Sequence, residues 1–310
     1  RSGTYKWHKY NKFTLNERGK LREIEAPHIH DRQVQKALTK KVLAPLYAPQ
    51  MIYNNGASME GKGLIFARKQ LKEDLRNHFR KYGLSGYIII TDCKGFFPNA
   101  NQDYIKQQHR NLIFDSKLRW LADNVIDSIP NPVGMPIGVE PSQLEMVHYP
   151  SKLDTYMTCQ MGLKGYGHYM DDFYLLIPPT LNPQSILNTF IAKAEQCYIT
   201  ISPHKTHILK FGTPFRFCKS KYVLLPTGKV LEHGSRDAAK RCRRKINVLH
   251  HKDLWDSLQS TLNYYADRND HKRILSLKRR FYRMFGFSCE NYNNFAEPKK
   301  YEELHLPCKL

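Results

Sequence analysis

Apolar residues recur along this chain with two different periods, and the switches between them mark its elements. Tyr87-Ile88-Ile89-Ile90-Thr91 is a continuous apolar run closing on Asp92, the pattern of a buried strand that ends in a carboxylate. Tyr166-Gly167-His168-Tyr169 and Phe173-Tyr174-Leu175-Leu176-Ile177 predict two more short strands, with Met170-Asp171-Asp172 at the tight turn between them. A fourth strand is expected at 206–209. Helical spacing runs through Val34, Leu38 and Val42, for which Asp31 is the candidate cap, and through Leu64, Leu71, Leu75 and Phe79. It returns in Leu144, Val147 and Leu153, in a helix opened by Pro141-Ser142-Gln143, and in Ile186, Leu187, Phe190, Ile191 and Ala194. The order strand, helices, strand, strand, helix, strand is a split β-α-β layout. There the end of the first strand lies beside the central hairpin turn, so Asp92 and Asp171 are expected to be neighbours despite their distance in sequence.

Four stretches outside these elements carry further signals. Gly19 predicts a hairpin turn, with Lys20 and Arg22 on one side of the strand that follows. Gly56-Ala57-Ser58-Met59-Glu60-Gly61-Lys62-Gly63 fits the phosphate-loop pattern G-x-x-x-x-G-K, but Gly63 stands where Ser or Thr must ligate Mg²⁺ and no buried strand precedes it. A nucleotide-hydrolase loop is therefore excluded, and a flexible basic loop before a helix is expected. Asn131-Pro132-Val133-Gly134-Met135-Pro136-Ile137-Gly138 is a turn-rich loop. From residue 236 the composition shifts: Lys240-Arg241-Cys242-Arg243-Arg244-Lys245, Lys272-Arg273 and Lys278-Arg279-Arg280 with Arg283 are basic runs in helical patterns, backed by an apolar stripe of Leu277, Phe281 and Met284.

Charge gives those basic runs a purpose. Lys and Arg number 49 against 28 Asp and Glu, for a formal charge of +21 and a pI of about 9.6. Such an imbalance points to nucleic acid, and a separate basic helical lobe is suited to tracking its phosphate backbone. A chain of 310 residues has room for two or three lobes. Seven cysteines without a C-x-x-C pair read as reduced thiols in a cytoplasmic protein, not as a zinc site or disulfide frame. No apolar run is long enough to span a bilayer, and none resembles a secretory leader.

By itself an Asp-Asp pair is most often a solvated turn. Adjacent anions repel, however, and a turn needing only polarity is better served by Asn or Gly. Hard divalent cations supply a positive reason for the pair, because Mg²⁺ takes carboxylate oxygens together with substrate phosphates. Asp92, Asp171 and Asp172 would make a three-carboxylate cluster on a basic scaffold. Two metal ions there could activate an attacking hydroxyl and stabilise the leaving oxygen of an in-line phosphoryl transfer. Residue chemistry thus reaches metal-dependent nucleotidyl transfer on nucleic acid, and leaves polymerase and nuclease both open.

Tyr169-Met170-Asp171-Asp172, the Asp92 strand with Phe96-Phe97, and the Gly138…Ser142-Gln143 segment resemble motifs C, A and B of the reverse transcriptase family, in the family's order. The likeness extends from Lys12 to Lys245. It implies an α+β right-hand polymerase: fingers at 1–85, a ferredoxin-like palm with a split β-α-β antiparallel sheet at 86–232 (part of the fingers falling around 100–135), and a basic helical thumb and tail at 233–310. It implies RNA-directed DNA synthesis with two Mg²⁺ ions, or Mn²⁺, on Asp92, Asp171 and Asp172. Arg22 resembles the fingers residue that grips the incoming dNTP, with Lys20 beside it. Phe97, five residues after Asp92, takes the steric-gate position whose ring would collide with a ribose 2′-OH. Ile137, Gly138 and Gln143 fall in the nucleotide-binding part of motif B, and Lys205 is similar to the motif D lysine near the departing pyrophosphate. Phe217-Cys218-Lys219 falls at the primer grip, with Cys218 and Lys219 in place of the usual Leu-Gly. Lys240, Arg241, Arg243, Arg244, Lys245, Lys278, Arg279 and Arg280 are the residues expected to hold nucleic acid.

Motif B also narrows the subgroup. Many reverse transcriptases carry Gln-Gly followed by Ser-Pro, whereas this chain has Ile137-Gly138-Val139-Glu140-Pro141-Ser142-Gln143. That variant resembles the enzymes of diversity-generating retroelements, bacterial and phage systems that mutagenise a target gene. The resemblance implies error-prone copying of a structured RNA template into cDNA (mutagenic retrohoming) in the cytoplasm. It also implies a small basic accessory protein as partner, and no membrane. A phage-defence (antiviral) or retron-type enzyme is the nearest alternative; a nucleic-acid-binding protein with an inactive palm is a third.

Overall fold

The computed structural model describes residues 5–17, 20–248, 252–286 and 288–289, and the chain falls into two units that meet in sequence at Phe211–Gly212. The first opens with an antiparallel hairpin of β1 (Asn11–Glu17) and β2 (Lys20–Ala26), in which Glu17 lies opposite Lys20. The expected turn at Gly19 and the side chain of Lys20 lie outside the described residues.

Helix α1 (Ile29–Leu38) is not capped by Asp31 as expected. His28 caps it, through a side chain that accepts from His30 N. Asp31 sits within the first turn, buried, and its carboxylate instead takes Tyr5 OH at 2.6 Å and His8 N at 2.9 Å. The chain then winds through a π-turn at Thr39–Leu43 into the short α2 (Ala44–Tyr47). The wider turn rotates the apolar face, so Leu43 and Tyr47 enter the core while Val42 of the expected every-fourth series is only partly covered.

The main sheet is built from β3 (Tyr87–Asp92), β4 (Gly165–Tyr169), β5 (Asp172–Ile177) and β6 (His207–Lys210), in the spatial order β4-β5-β3-β6 with every pairing antiparallel. This is the split β-α-β arrangement expected from the pattern. Both faces are covered, which is why β3 reads as a continuous apolar run instead of alternating. On one face lies α3 (Leu64–Tyr82), with Leu71 and Leu75 fully buried. On the other, Ile89, Phe173, Leu175 and Ile177 join a core with Ile186, Leu187, Phe190 and Ala194 of α8 (Pro183–Gln196). Burying each such side chain is worth about 1.5–3 kcal/mol.

Between β3 and β4 run α4 (Gln102–Leu112), α5 (Ser116–Asp127), α6 (Glu140–His148) and α7 (Ser151–Thr155). Asn101, Asp115 and Asn182 each cap the helix that follows by accepting from its first free N–H groups. The single helix expected to carry Leu144, Val147 and Leu153 is two, because Pro150 lacks the N–H that would continue it.

The second unit contains β7 (Phe215–Phe217), β8 (Ser220–Leu224) and β9 (Val230–Gly234) in one antiparallel sheet, then α9 (Arg236–Val248), α10 (Lys252–Ala266) and α11 (His271–Phe285). The apolar pattern gave no sign of this sheet. The sheet shares a unit with the helices that follow and is bonded to them: Ser235 N donates to Tyr264 OH at 2.8 Å and Arg268 Nε to Ser220 Oγ at 2.8 Å. The helices share their own core of Cys242, Ile246, Leu258, Tyr265, Leu277 and Phe281. Among the described residues no helix is long and apolar enough to cross a membrane.

Candidate active site

Asp92 is the last residue of β3 and Asp172 the first of β5, and the register sets them directly opposite each other. The β4–β5 connection is only Met170-Asp171, since Tyr169 pairs with Asp172. Met170 takes a positive φ of 54°, a conformation that costs a residue with a Cβ about 1–2 kcal/mol. Backbone bonds lock the corner: Cys93 N donates to Asp171 O at 3.0 Å, and Ser202 N donates to Asp92 O at 2.9 Å. The three carboxylates are thereby gathered at one end of the sheet by strand register, as the sequence order required.

A fourth expected residue joins them. Lys205, on a single 3-10 turn (Pro203–Lys205), donates from Nζ to Asp92 Oδ1 at 2.7 Å. That bond, helped by the charges of Asp92, Asp171 and Asp172, holds the ammonium pKa above the ordinary lysine value. The Cys93 thiol is driven well above its usual range, by burial first and then by the same three carboxylates, so it is an inert neighbour. Among the described residues, no set of three or more His, Cys, Asp or Glu side chains stands ready as a closed metal cage. The donor chemistry nonetheless fits Mg²⁺, which is held by one or two carboxylates plus substrate phosphates and keeps its remaining positions for water.

Around this corner the expected nucleotide-side residues sit on connected backbone. Phe97 is half-buried, packs against the main core, and meets Phe96 edge-on at 6.1 Å. Its carbonyl accepts Met135 N at 2.8 Å, which fastens the 131–138 loop to the segment following Asp92. Ile137 is partly exposed and its carbonyl accepts Glu25 N at 3.1 Å, linking that loop to the strand that bears Arg22. Gly138 is exposed with φ +108°, and a Cβ there would stand 3.0 Å from Ile24 Cγ2. Gln143, on the outer face of α6, donates to Ser58 Oγ at 2.7 Å.

That last contact corrects the expectation of a flexible loop at 56–63. Gly56 N donates to His168 O at 2.9 Å, His168 N donates to Asn54 O at 3.2 Å, and Asn55 Nδ2 reaches Val147 O at 2.9 Å. The segment lies along the open edge of β4, and Gly56 is needed because a Cβ would come within 2.5 Å of Ala67 Cβ. Lys62 is also tied down, donating to Tyr53 O at 2.8 Å, and burial lowers its pKa.

The sequence profile of the family described as reverse transcriptase (RNA-dependent DNA polymerase) matches residues 8–249. The chain belongs to the reverse transcriptase family. Among solved structures, a telomerase from Candida albicans in complex with a TWJ fragment of telomeric RNA is similar with a TM-score of 0.58 and 11% identity, over 94% of this chain and 59% of that one. An apo telomerase from Candida Tropicalis gives 0.57 and 10%, over 96% and 61%. The chain thus spans about three-fifths of the length of these telomerases, and the likeness is one of fold. A search of curated proteins returns no match.

The second unit carries the remaining residues that the reverse transcriptase resemblance singled out. Phe217 is buried and Cys218-Lys219 form a two-residue turn between β7 and β8, both at positive φ (48° and 62°). Tyr264 OH donates to Lys219 O at 3.1 Å, holding that turn to α10. Lys240, Arg241, Arg243, Arg244 and Lys245 are exposed on α9, with Arg243 donating to Ser276 Oγ and Lys245 to Ser257 Oγ. On α11, Arg279 is exposed while Lys278 and Arg280 are partly covered. Sequence reasoning missed Ser58, Glu25 and Tyr264, whose importance comes from partners far away in the chain.

Proposed function

We propose that this chain is an RNA-directed DNA polymerase that copies a structured RNA template into cDNA. The observation that carries this is the meeting of Asp92 with the Asp171-Asp172 turn at one sheet end, with the Lys205 ammonium on the same carboxylate. The main sheet and its helices act as palm, the N-terminal hairpin and following helices as fingers, and the basic helices as thumb. Asp92 and Asp171, completed by Asp172, would hold two Mg²⁺ or Mn²⁺ ions, which when bound activate the primer hydroxyl and neutralise charge on the leaving pyrophosphate. Lys205 contributes a fixed cation beside the site where that charge develops. Arg22 binds the triphosphate of the incoming dNTP, and Phe97 excludes the ribose 2′-OH by steric overlap. Phe217, Cys218 and Lys219 support the primer end, and the exposed cations of α9 and α11 follow the phosphate backbone.

Primer extension on an RNA template with Mg²⁺ tests this directly. Extension is expected from the unmodified protein and not from Asp171→Asn; equal extension by both would defeat the assignment.

The finer proposal is membership of the diversity-generating group, working in a bacterial cytoplasm with a small basic accessory protein. It rests on Ile137, an aliphatic residue where many relatives carry an amide that can both donate and accept. A variable-repeat and template-repeat pair beside the gene would support it; a defence island would favour the antiviral or retron-type alternative.

A further inference from the structure

The catalytic turn is strained, and one buried side chain reaches it from behind. His168 is 1% exposed and Asp154 0%. The ring's Nε2 lies 3.0 Å from Asp154 Oδ2, while Tyr166 OH donates to Asp154 Oδ1 at 2.8 Å. Its Nδ1 faces the carbonyl oxygen of Met170 at 3.3 Å. Phe173 stacks on the ring at 4.6 Å and 16°, and residues 54–56 clamp the His168 backbone. The ring is therefore held at Nε2, on one face and through its backbone, with Nδ1 presented to the turn.

Given polymerase activity at Asp92, Asp171 and Asp172, we propose that His168 and Asp154 are positioning residues that set the conformation of the Met170-Asp171 turn. The Met170 carbonyl belongs to the peptide that leads into Asp171, so a donor on it fixes where that carboxylate starts. A hydrogen bond to this carbonyl is comparable in size to the cost of holding a non-glycine residue at positive φ. It can therefore decide whether the turn keeps one geometry or samples several. Metal-binding carboxylates function only when held within about 0.5 Å of their productive place by such supporting contacts. Asp154 in turn orients the ring and is itself satisfied by Tyr166, so no buried charge is left without a partner. A buried His–Asp pair that served folding alone would need no contact with the turn.

The test compares His168→Leu, His168→Gln and Asp154→Asn with the unmodified chain. It follows single-turnover dNTP incorporation, template–primer Kd, melting temperature, and Mn²⁺ binding by the electron paramagnetic resonance of the free ion. His168→Leu is expected to lower kcat about tenfold and to weaken Mn²⁺ binding, while dNTP KM and template–primer Kd hold steady. His168→Gln, which keeps a donor for the Met170 carbonyl, is expected to restore much of both; Asp154→Asn should show a milder form of the Leu defect. Unchanged kcat and Mn²⁺ binding in the Leu variant overturn the proposal. So does a loss in all three variants that merely tracks their melting temperatures. Should the Leu variant fail to fold, normal kcat and Mn²⁺ binding in Asp154→Asn have the same force. If the unmodified chain binds Mn²⁺ yet extends no primer, polymerase function fails, and the Mn²⁺ arm alone still decides whether His168 positions the turn.

Discussion

Asp171 and Asp172 are adjacent in the chain but enter the site from different backbone, Asp171 from the turn and Asp172 from the first position of β5. Asp171→Asn keeps shape and removes the charge that a hard cation needs. A loss of several kcal/mol of transition-state stabilisation, or about a thousandfold in rate, is expected, with circular dichroism and RNA binding unchanged. As the proposed gate, Phe97 would act by bulk rather than by hydrogen bonding, so Phe97→Ala should let ribonucleotides compete; unchanged dNTP-to-rNTP discrimination in single-turnover assays would assign the gate elsewhere. At its proposed place beside the nucleotide, Ile137 would offer only an aliphatic side chain, and its backbone carbonyl is already taken by Glu25 N. Ile137→Gln should therefore raise fidelity without abolishing activity, about tenfold for each 1.4 kcal/mol restored to the difference between right and wrong pairs. Comparing the error spectra of both proteins on one RNA template decides it, and accurate copying by the unmodified chain would remove the mutagenic proposal.

At the scale of elements, α4, α5, α6 and α2 are joined through a single buried imidazole. His109 Nδ1 lies 2.7 Å from Asp123 and Nε2 3.0 Å from Glu145, whose other oxygen accepts Tyr47 OH at 2.8 Å. Burial by itself would lower the His109 pKa, but the two carboxylates outweigh it and raise it to about 9. A raised folded-state value means that the stabilisation is fully present below the unfolded histidine pKa of about 6.5 and is lost as pH climbs through about 9. Denaturant unfolding between pH 6 and pH 10 should show this decline, and His109→Gln should flatten it. The Cys218-Lys219 turn stores strain of another kind, since both residues occupy the left-handed region that glycine prefers. Lys219→Gly should stabilise the chain by about 1 kcal/mol, read as a rise of a few degrees in Tm; an unchanged or lowered Tm would show that the Tyr264 bond already offsets the strain. Both features were hidden in the sequence. A pattern of apolar spacing carries no mark of which buried histidine meets two acids, or of which turn is forced to positive φ.

For the molecule as a whole, the +21 charge predicts how binding responds to salt. Neutralising Arg243 and Arg244, or Arg279 and Arg280, should weaken template–primer binding with little sequence preference, and each lost phosphate contact should reduce the log–log salt slope by roughly one. An unchanged slope would mean that these cations only face solvent. The main-sheet strands, their order and the pairing of Asp92 with the hairpin carboxylates were legible because apolar periodicity is local and strand order restricts which ends can meet, whereas Lys205 was pointed to only by the family resemblance. Tertiary structure alone decided that residues 54–56 close the β4 edge, that the β7–β9 sheet belongs with the C-terminal helices, and that the His168 ring lies between Asp154 and the Met170 carbonyl. These outcomes depend on which backbone edges and buried polar atoms remain to be satisfied once the core has packed. That demand arises only between segments distant in the chain, so no local pattern of residues records it.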